Sequence, residues 1–157
     1  IMDMLSLGVK VGLGEDGSAS NDSSHLLAEA RLAMLLSRVG AGLSGASRSA
    51  EDAPPLMSAR QALELATRGG AAVLGRTDVG SLAVGKCADL IAINLNRLNY
   101  AGALHDPVAA ALFCTPQNVD FNMVGGKFIV KNGQITKLDL PNLVTKHNQA
   151  AKRLLNG

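Results

Sequence analysis

The sequence predicts an α/β segment followed by a small β unit and a terminal helix. Three observations support this order: an apolar, β-branched run leads through a glycine-rich loop into a helical pattern, strand periodicity begins after Gly80, and helical spacing returns near the end. The chain has 157 residues and a mean hydropathy of +0.18, so it holds enough apolar material for a core. We expect three parts, at residues 1–75, 76–139 and 140–157.

The first part begins with a helical fragment, which Gly8 ends, and continues as a strand over residues 9–16. Successive side chains of a strand point to opposite faces, so the apolar residues share one face and the small residues share the other with Asp16. The first face holds Val9, Val11 and Leu13, and the second holds Gly12 and Gly14. This profile is typical of the wall of a (β/α)8 barrel, with branched residues packed outward, room left inside and Asp16 at the mouth.

A helix is predicted from about Ser24 to Val39, because apolar residues recur there with a period of 3.6. The oxygen-bearing side chains of Asp22 and Ser23, just before it, can accept the free backbone amides of its first turn. Residues 40–57 are rich in Gly, Ser and Ala and contain two prolines. They are therefore predicted to form a surface loop.

Ser58 is expected to cap a further helix over residues 58–67, whose alanines and leucines form a narrow apolar stripe. A separate short helix is expected over residues 68–74, entered through a Gly-Gly pair and stopped by Gly75. The first part therefore ends in helices.

The second part is a set of short strands separated by glycines, predicted at residues 81–84, 89–95, 119–124 and 127–135. Within the last of these, Asn132-Gly133 is a strong signal for a type I′ hairpin turn. A brief helix over residues 106–113 is predicted between strands, because its Asp-Pro start places proline in the first helical turn. The third part has helical spacing over residues 141–155, which predicts a terminal helix.

Composition excludes several classes of function. The net charge of +2 is small and dispersed and aromatic residues make up only 3%, so nucleic-acid binding is not expected. Cys87 and Cys114 form no CxxC motif, which argues against a zinc knuckle or a redox pair and fits a reducing cytoplasm. No apolar run approaches the roughly 20 residues that span a bilayer.

One motif points to a different function. Gly12-x-Gly14-x-x-Gly17 matches the dinucleotide-binding pattern that follows a strand. Two acidic side chains in the loop would repel a pyrophosphate, and the predicted helix begins too late to offer its N-terminus. No strand ending in an acidic residue follows at the expected distance of about 20 residues. Nucleotide binding is therefore the weaker alternative.

Two stretches resemble the amidohydrolase superfamily, in the aminohydrolase branch that includes 8-oxoguanine deaminase and the triazine hydrolases. GLGEDGSASNDSS followed by HLLAEARLAML is similar to the last barrel strand of that family and the loop after it. GSLAVGKCADLI, with VGGKFIVKNGQI further on, resembles the segment in which these enzymes leave the barrel and complete a small β-sandwich. The resemblance implies the C-terminal part of a TIM (β/α)8 barrel, its last strand and helix, with part of a β-sandwich.

By this resemblance, Asp16 binds the catalytic metal and moves a proton between the attacking water and the leaving amine. A carboxylate suits this task, because a divalent cation lowers the pKa of its water towards 7 and the carboxylate can take up the released proton. Glu15 departs from the family pattern, and strand alternation turns it away from the barrel interior. Ser18 and Asn21 lie nearest the strand end and are the candidate substrate-binding residues, although their loop can equally be a helix-capping turn.

The implied metal is zinc, with iron as the alternative. The chain has only three histidines and no His-x-His; they are His25, His105 and His147. By resemblance, the remaining ligands lie on earlier barrel strands outside this chain. A complete barrel needs about 250 residues, so we expect the C-terminal portion of a longer enzyme, without activity on its own.

The parent enzyme implied by the resemblance is a cytoplasmic hydrolase that removes an amine from a purine, pyrimidine or triazine ring. Its expected partners are the N-terminal remainder of the same enzyme, a small heterocyclic amine and further copies in a homo-oligomer. A competing interpretation is a non-catalytic, β-rich binding or structural module. In that case Asp16 only turns the chain, as aspartate commonly does beside glycine.

Overall fold

A computed structural model of the chain describes residues 1–17, 20, 24–45, 56–114 and 118–156. The chain divides into two compact units. We call them the helical unit, which comprises residues 1–87 and 94–117, and the sheet unit, which comprises residues 88–93 and 118–157.

The helical unit contains five α-helices, a π-helical turn and a short 3₁₀ helix among its described residues. These are α1 (Met2–Ser6), α2 (Leu26–Gly45), α3 (Ala59–Glu64), the π-helix (Leu65–Gly69), α4 (Gly70–Val73), the 3₁₀ helix (Leu98–Tyr100) and α5 (Pro107–Phe113). The helix predicted at residues 24–39 is confirmed, although it begins two residues later and continues to Gly45.

The apolar core of the described residues lies in the helical unit. From α2 it takes Leu27, Ala30 and Met34, whose spacing places them on one face of the helix. The other buried apolar residues are Met57, Ala59, Ala62, Leu65, Ala71, Tyr100, Ala110 and Leu112. Helices α2, α3 and α5 therefore pack around a shared core.

Polar contacts at the helix ends hold α3 and α5 together. The Ser58 side chain accepts a hydrogen bond from the backbone N–H of Gln61, whose side chain accepts one from the backbone N–H of Ser58, as predicted for a capping box. Asp106 caps α5 with Pro107 in its first turn, which confirms the second predicted helix start. Arg60 of α3 donates to Asp106 at 2.7 Å and so joins the two helices.

These contacts lower the pKa of the Asp106 carboxyl. The hydrogen bond from Arg60, followed by that from the Ala109 backbone N–H, lowers the pKa of Asp106 to about 2. The same pairing raises the pKa of Arg60. Both groups therefore stay charged over most of the pH range.

The sheet unit contains a four-stranded antiparallel sheet in the order β1-β2-β3-β4. The strands are β1 (Leu90–Ala92), β2 (Phe121–Val124), β3 (Lys127–Lys131) and β4 (Gln134–Ile135). Asn132 and Gly133 both have positive φ, which confirms the predicted type I′ turn between β3 and β4. Gly125 and Gly126 adopt positive φ in the same way between β2 and β3.

Helix α6 (Leu140–Asn156) follows the sheet and confirms the predicted terminal helix. Asp139 caps it by accepting a hydrogen bond from the Asn142 backbone N–H at 3.1 Å. None of its residues is buried, although its leucines and valine recur on one face. In the part of the chain that the structure describes, no helix is long and apolar enough to cross a bilayer.

The strand predicted at residues 81–84 is wrong. This segment is a loop, in which Lys86 donates to the Ser81 hydroxyl at 2.8 Å and the Lys86 backbone N–H donates to Ala83. Arg76 also forms two hydrogen bonds with Asp78, at 2.9 and 2.6 Å. β-Branched and apolar residues form a strand only beside a partner strand, and these local polar contacts hold the segment in a different path.

The Asp78 carboxylate accepts hydrogen bonds from two side chains near this loop, those of Arg76 and Cys87. The Cys87 thiol donates to Asp78 at 3.2 Å, and the Cys87 backbone N–H donates to the Asp78 carbonyl at 2.8 Å. Hydrogen bonds from Arg76 and then Cys87 hold the pKa of Asp78 well below its usual range. Neither Cys87 nor Cys114 forms a disulfide.

The break predicted before residue 68 is also absent. Gly69 and Gly70 both have right-handed helical φ and ψ, so α3, the π-helix and α4 form one continuous helical run. The run ends at Gly75, which has a φ of +68° as the predicted stop requires. The Gly-Gly pair does not break the helix. It allows close contact with the segment that carries Asp16.

Candidate active site

Asp16 follows the segment at residues 9–15, which leads out of α1. This segment was predicted to be a strand, but it has no strand partner among the described residues. Backbone hydrogen bonds hold it: the Val9 N–H donates to the Met4 carbonyl of α1 at 3.0 Å, and the Leu13 N–H donates to the Leu65 carbonyl at 3.2 Å. The Gly70 N–H donates to the same carbonyl, as the wider π-helical turn requires. The π-helix therefore fixes the path of the chain three residues before Asp16.

Glycines allow this close approach. A Cβ on Gly12 would lie 2.8 Å from the Gly70 Cα, and a Cβ on Gly69 would lie 2.3 Å from the Val11 carbonyl oxygen. Both distances are shorter than real Cβ contacts, so only glycine fits at either position. The expectation that the small residues leave open space is wrong at Gly12, because the backbone of Gly70 occupies that side.

A groove of about 370 Å³ lies along the apolar side of the same segment. Its walls include Val9 and Val11 from the segment and Leu65 and Ala72 from the helical run. Lys10 and Arg68 also line it. The branched side chains of this segment thus border an open groove beside the helical run, and Val9 is 46% exposed. Their packing in a barrel wall stays a prediction.

Asp16 itself is exposed, and its carboxylate is held by its own loop. The Gly17 backbone N–H donates to Oδ1 at 2.8 Å. Ser20 closes the turn, since its backbone N–H and its hydroxyl donate to the Gly17 carbonyl at 2.9 and 3.2 Å. Hydrogen bonding from the Ser20 side chain and then from Gly17 lowers the pKa of Asp16, so the group is a carboxylate at neutral pH.

Ser18 and Asn21 lie outside the described residues. Glu15 is exposed. The described part of the site therefore consists of Asp16, Gly17 and Ser20.

Two supporting features escaped the sequence reasoning. One is Ser20, which lies four residues after Asp16 in a loop with several hydroxyl groups, and only the folded turn singles it out. The other is the contact of Gly12 with the Gly69-Gly70 pair. Two adjacent glycines inside a helical pattern are unfavourable by themselves, and this was the available signal for a close backbone approach.

The described part of the candidate site offers a metal one carboxylate, that of Asp16. Among the described ranges, no group of three or more His, Cys, Asp or Glu could bind an ion together. His105 and His147 are exposed, and His25 precedes α2 with its Nε2 atom buried. Asp16 fits the role of a single ligand, because it is ionised, accessible and oriented by donors that leave further lone pairs for a cation.

The geometry disfavours the dinucleotide-binding alternative. The side of Gly12 on which a Cβ would stand faces the backbone of Gly70. A pyrophosphate bound at this glycine would need that side to face solvent. Helix α2 begins only at Leu26, well after Gly17, so its N-terminus is not at the glycine loop. Among the described residues, an added Cβ would meet a neighbour at Gly12 but not at Gly14 or Gly17, so Gly12 is needed for packing.

Comparison with known proteins places this arrangement in a family. The sequence pattern of the amidohydrolase family matches residues 1–135, and the chain belongs to that family. It is 42% identical to an 8-oxoguanine deaminase of Pseudomonas aeruginosa over 99% of the chain and 32% of that relative. It is 40% identical to a hydroxydechloroatrazine ethylaminohydrolase of Pseudomonas sp. strain ADP, over 98% of the chain and 31% of that relative.

Solved structures give the same result. An adenosine deaminase from Xanthomonas campestris with bound zinc superposes with a TM-score of 0.82 at 29% identity, over 98% of this chain and 33% of that one. The chain therefore spans about a third of the length of the relatives it matches. The predicted resemblance to aminohydrolases is confirmed.

Proposed function

We propose that this chain is the C-terminal third of a metal-dependent aminohydrolase. In this proposal, residues 1–75 supply the last strand and helix of a (β/α)8 barrel, residues 76–139 part of a β-sandwich, and residues 140–157 a closing helix. The observation that carries it is the 42% identity to an 8-oxoguanine deaminase along 99% of the chain. Deaminase and amine-releasing hydrolase names among the relatives support the same reaction class.

The proposed reaction is hydrolysis of an amino group from a purine, pyrimidine or triazine ring. A bound divalent cation would supply a water whose pKa lies near 7. Asp16 would accept the proton that this water releases and hand it to the departing amine. An aspartate is ionised at neutral pH, so the group is free of its proton before the water reacts.

Zinc is the metal that we propose, with Asp16 as one ligand and the others outside this chain. The zinc bound to the adenosine deaminase relative supports this choice over iron. Ser18 and Asn21, which follow Asp16 closely, are proposed to contact the substrate ring. A cytoplasmic location fits two cysteines that form no disulfide, and assembly into a homo-oligomer stays a prediction.

The test uses the full-length protein that carries this chain, as wild type and as the variants Asp16→Asn and Asp3→Asn. Asp3 lies in α1 and is the matched control for loss of an exposed carboxylate. Amine release is measured from 8-oxoguanine, hydroxydechloroatrazine and adenosine, and zinc content is measured by elemental analysis. Asp16→Asn should lower turnover by about 100- to 10,000-fold, whereas Asp3→Asn should not change it.

Two results would contradict the proposal. Full activity of Asp16→Asn would remove Asp16 from the chemistry. A metal-free protein that releases no amine from any of the three compounds would favour the β-rich binding or structural module instead. The 157-residue chain alone is expected to release no ammonia, because one carboxylate does not complete a metal site.

A further inference from the structure

We infer that the π-helix (Leu65–Gly69) is a positioning element, which sets the place of the Asp16 carboxylate at the metal site. This inference rests on the proposed role of Asp16 as a metal ligand. It goes beyond that role because it assigns a function to backbone groups on a later part of the chain, which touch neither metal nor substrate. One shared carbonyl and two close backbone contacts carry it.

The Leu65 carbonyl is the shared group. The Gly70 N–H donates to it across the wider π-helical turn, and the Leu13 N–H donates to it at 3.2 Å from the segment that carries Asp16. A carbonyl oxygen has two lone pairs, so it can accept both hydrogen bonds at once. In a regular α-helix the donor would be the N–H of Gly69, four residues along. The wider turn is therefore located at the contact with the segment, and turns of this kind are frequent at functional sites.

Glycines set how closely the segment approaches the helical run. A Cβ on Gly69 would lie 2.3 Å from the Val11 carbonyl oxygen, and a Cβ on Gly12 would lie 2.8 Å from the Gly70 Cα. Real Cβ contacts are essentially never shorter than 3.0 Å, and both obstacles are backbone atoms that no side-chain rotation can move. An alanine at position 69 therefore needs a clear displacement of the segment, whereas an alanine at position 12 needs a smaller one.

A displacement at these contacts reaches Asp16 over a short distance. Leu13 lies three residues before Asp16, and a residue of an extended chain spans at most about 3.6 Å. The segment has no strand partner among the described residues, so its backbone contacts with α1 and with the helical run hold its path. A misplacement of about 1 Å in a catalytic geometry can cost about 100-fold in rate. The π-helix therefore controls the position of the carboxylate.

The experiment uses the full-length protein as wild type and as the variants Gly69→Ala, Gly12→Ala, Gly70→Ala and Leu112→Ala. Gly70→Ala is the control for an added methyl group in the same helical run, because no atom lies within 4 Å of its Cβ. Leu112→Ala is the control for lost stability, because Leu112 is fully buried in α5. Each protein is loaded with Co²⁺, whose visible absorption spectrum reports the ligand geometry without any substrate. Amine release from 8-oxoguanine then gives kcat and KM, and urea unfolding gives the stability.

The expected effects follow the room that each methyl group needs. Gly69→Ala should shift the Co²⁺ spectrum and lower kcat by about 10- to 100-fold, with a smaller change in KM. Gly12→Ala should change both in the same direction by less than Gly69→Ala does. Gly70→Ala and Leu112→Ala should keep the wild-type spectrum and kcat in the folded protein, although Leu112→Ala is less stable.

Two results would overturn the inference. One is a wild-type spectrum and kcat in Gly69→Ala, or in Gly12→Ala if Gly69→Ala does not fold. The other is a Co²⁺ spectrum of Leu112→Ala that is altered as much as that of Gly69→Ala. In that case loss of stability alone would explain the effect, and the close contact would have no particular role in the metal site.

Asp16→Asn separates this inference from the proposed function. If Asp16→Asn changes the Co²⁺ spectrum and the glycine variants do not, Asp16 is a ligand and only the role of the π-helix fails. If Asp16→Asn leaves the spectrum unchanged, Asp16 is not a ligand and the proposed function fails, together with the inference that rests on it. If 8-oxoguanine is not a substrate, the spectrum still decides the role of the π-helix.

Discussion

The helical unit and the sheet unit are stabilised in different ways. In the helical unit, apolar side chains from several helices are buried together, and Met34, Tyr100 and Leu112 are fully enclosed. In the sheet unit, none of the described residues is a buried apolar residue, and Phe128, Ile129 and Ile135 of the sheet are each at least 40% exposed. Its order comes from strand pairing and two tight turns.

This difference teaches where a substitution should matter. A buried side chain removed from the helical unit leaves a cavity, whereas an exposed one removed from the sheet unit leaves nothing unfilled. Asp16 belongs to the helical unit. The candidate site is therefore supported by the region of the chain that has its own core.

Leu112→Ala should give the largest loss of stability, because Leu112 is fully buried in α5. We expect the free energy of unfolding to fall by about 2–5 kcal/mol, from lost burial and the cavity left behind. The matched variant is Leu154→Ala in α6, whose leucine is 84% exposed and should change it by less than about 0.5 kcal/mol. Urea unfolding followed by circular dichroism measures both, and equal effects would abolish the contrast between the units.

Gly69→Ala should give the next largest effect. The added Cβ would meet the Val11 carbonyl oxygen at 2.3 Å, and overpacking of this kind costs about 1–3 kcal/mol. Gly70→Ala is the control at the adjacent position, since it has the same helical backbone and no atom within 4 Å of an added Cβ. It should raise stability by up to about 1 kcal/mol, because alanine favours helices.

The same pair of variants tests the link to the candidate site. Gly69→Ala should displace the segment that carries Asp16, so amine release by the full-length protein should fall together with the unfolding midpoint. A Gly69→Ala protein as stable as wild type would show that the close approach of the π-helix to Val11 is absent in solution.

Loss of a helix cap should have a moderate effect in the helical unit. Ser58→Ala removes the side-chain oxygen that accepts the Gln61 N–H, and we expect a loss of about 1 kcal/mol. Asp139→Ala removes the corresponding cap of α6. Because α6 buries none of its residues, this variant should lower helical circular dichroism without shifting the cooperative transition. A shift as large as that of Ser58→Ala would show that α6 is packed.

The smallest expected effect is on how the stability of the helical unit changes with pH. The pKa of Asp106 is about 2 in the folded protein and its ordinary value is 3.8, so the unfolded chain binds the proton first as the pH falls. The stabilisation by Arg60 and by the α5 cap is therefore complete above about pH 4 and is lost towards pH 2. Asp106→Asn keeps a capping side chain but cannot titrate. Its unfolding midpoint should change less than that of wild type between pH 5 and pH 2, most clearly at low salt.

Much of the local structure could be predicted from the sequence. The capping box at Ser58, the Asp106-Pro107 helix start, the Asn132-Gly133 turn and the terminal helix are all confirmed. Each depends on hydrogen bonds or backbone preferences within a few residues. The family was also evident from two motifs, whereas the place of Asp16 at the mouth of a barrel stays a prediction.

Only the tertiary structure decided the features that join distant segments. The sequence pattern at residues 81–84 resembled a strand, but pairing requires a partner, and polar contacts from Lys86 and around Asp78 set its path instead. The Gly69-Gly70 pair resembled a helix break, but its purpose is to admit the backbone of residues 11 and 12. Local chemistry is encoded within a few neighbouring residues, whereas the closeness of two backbones depends on what the whole core brings together.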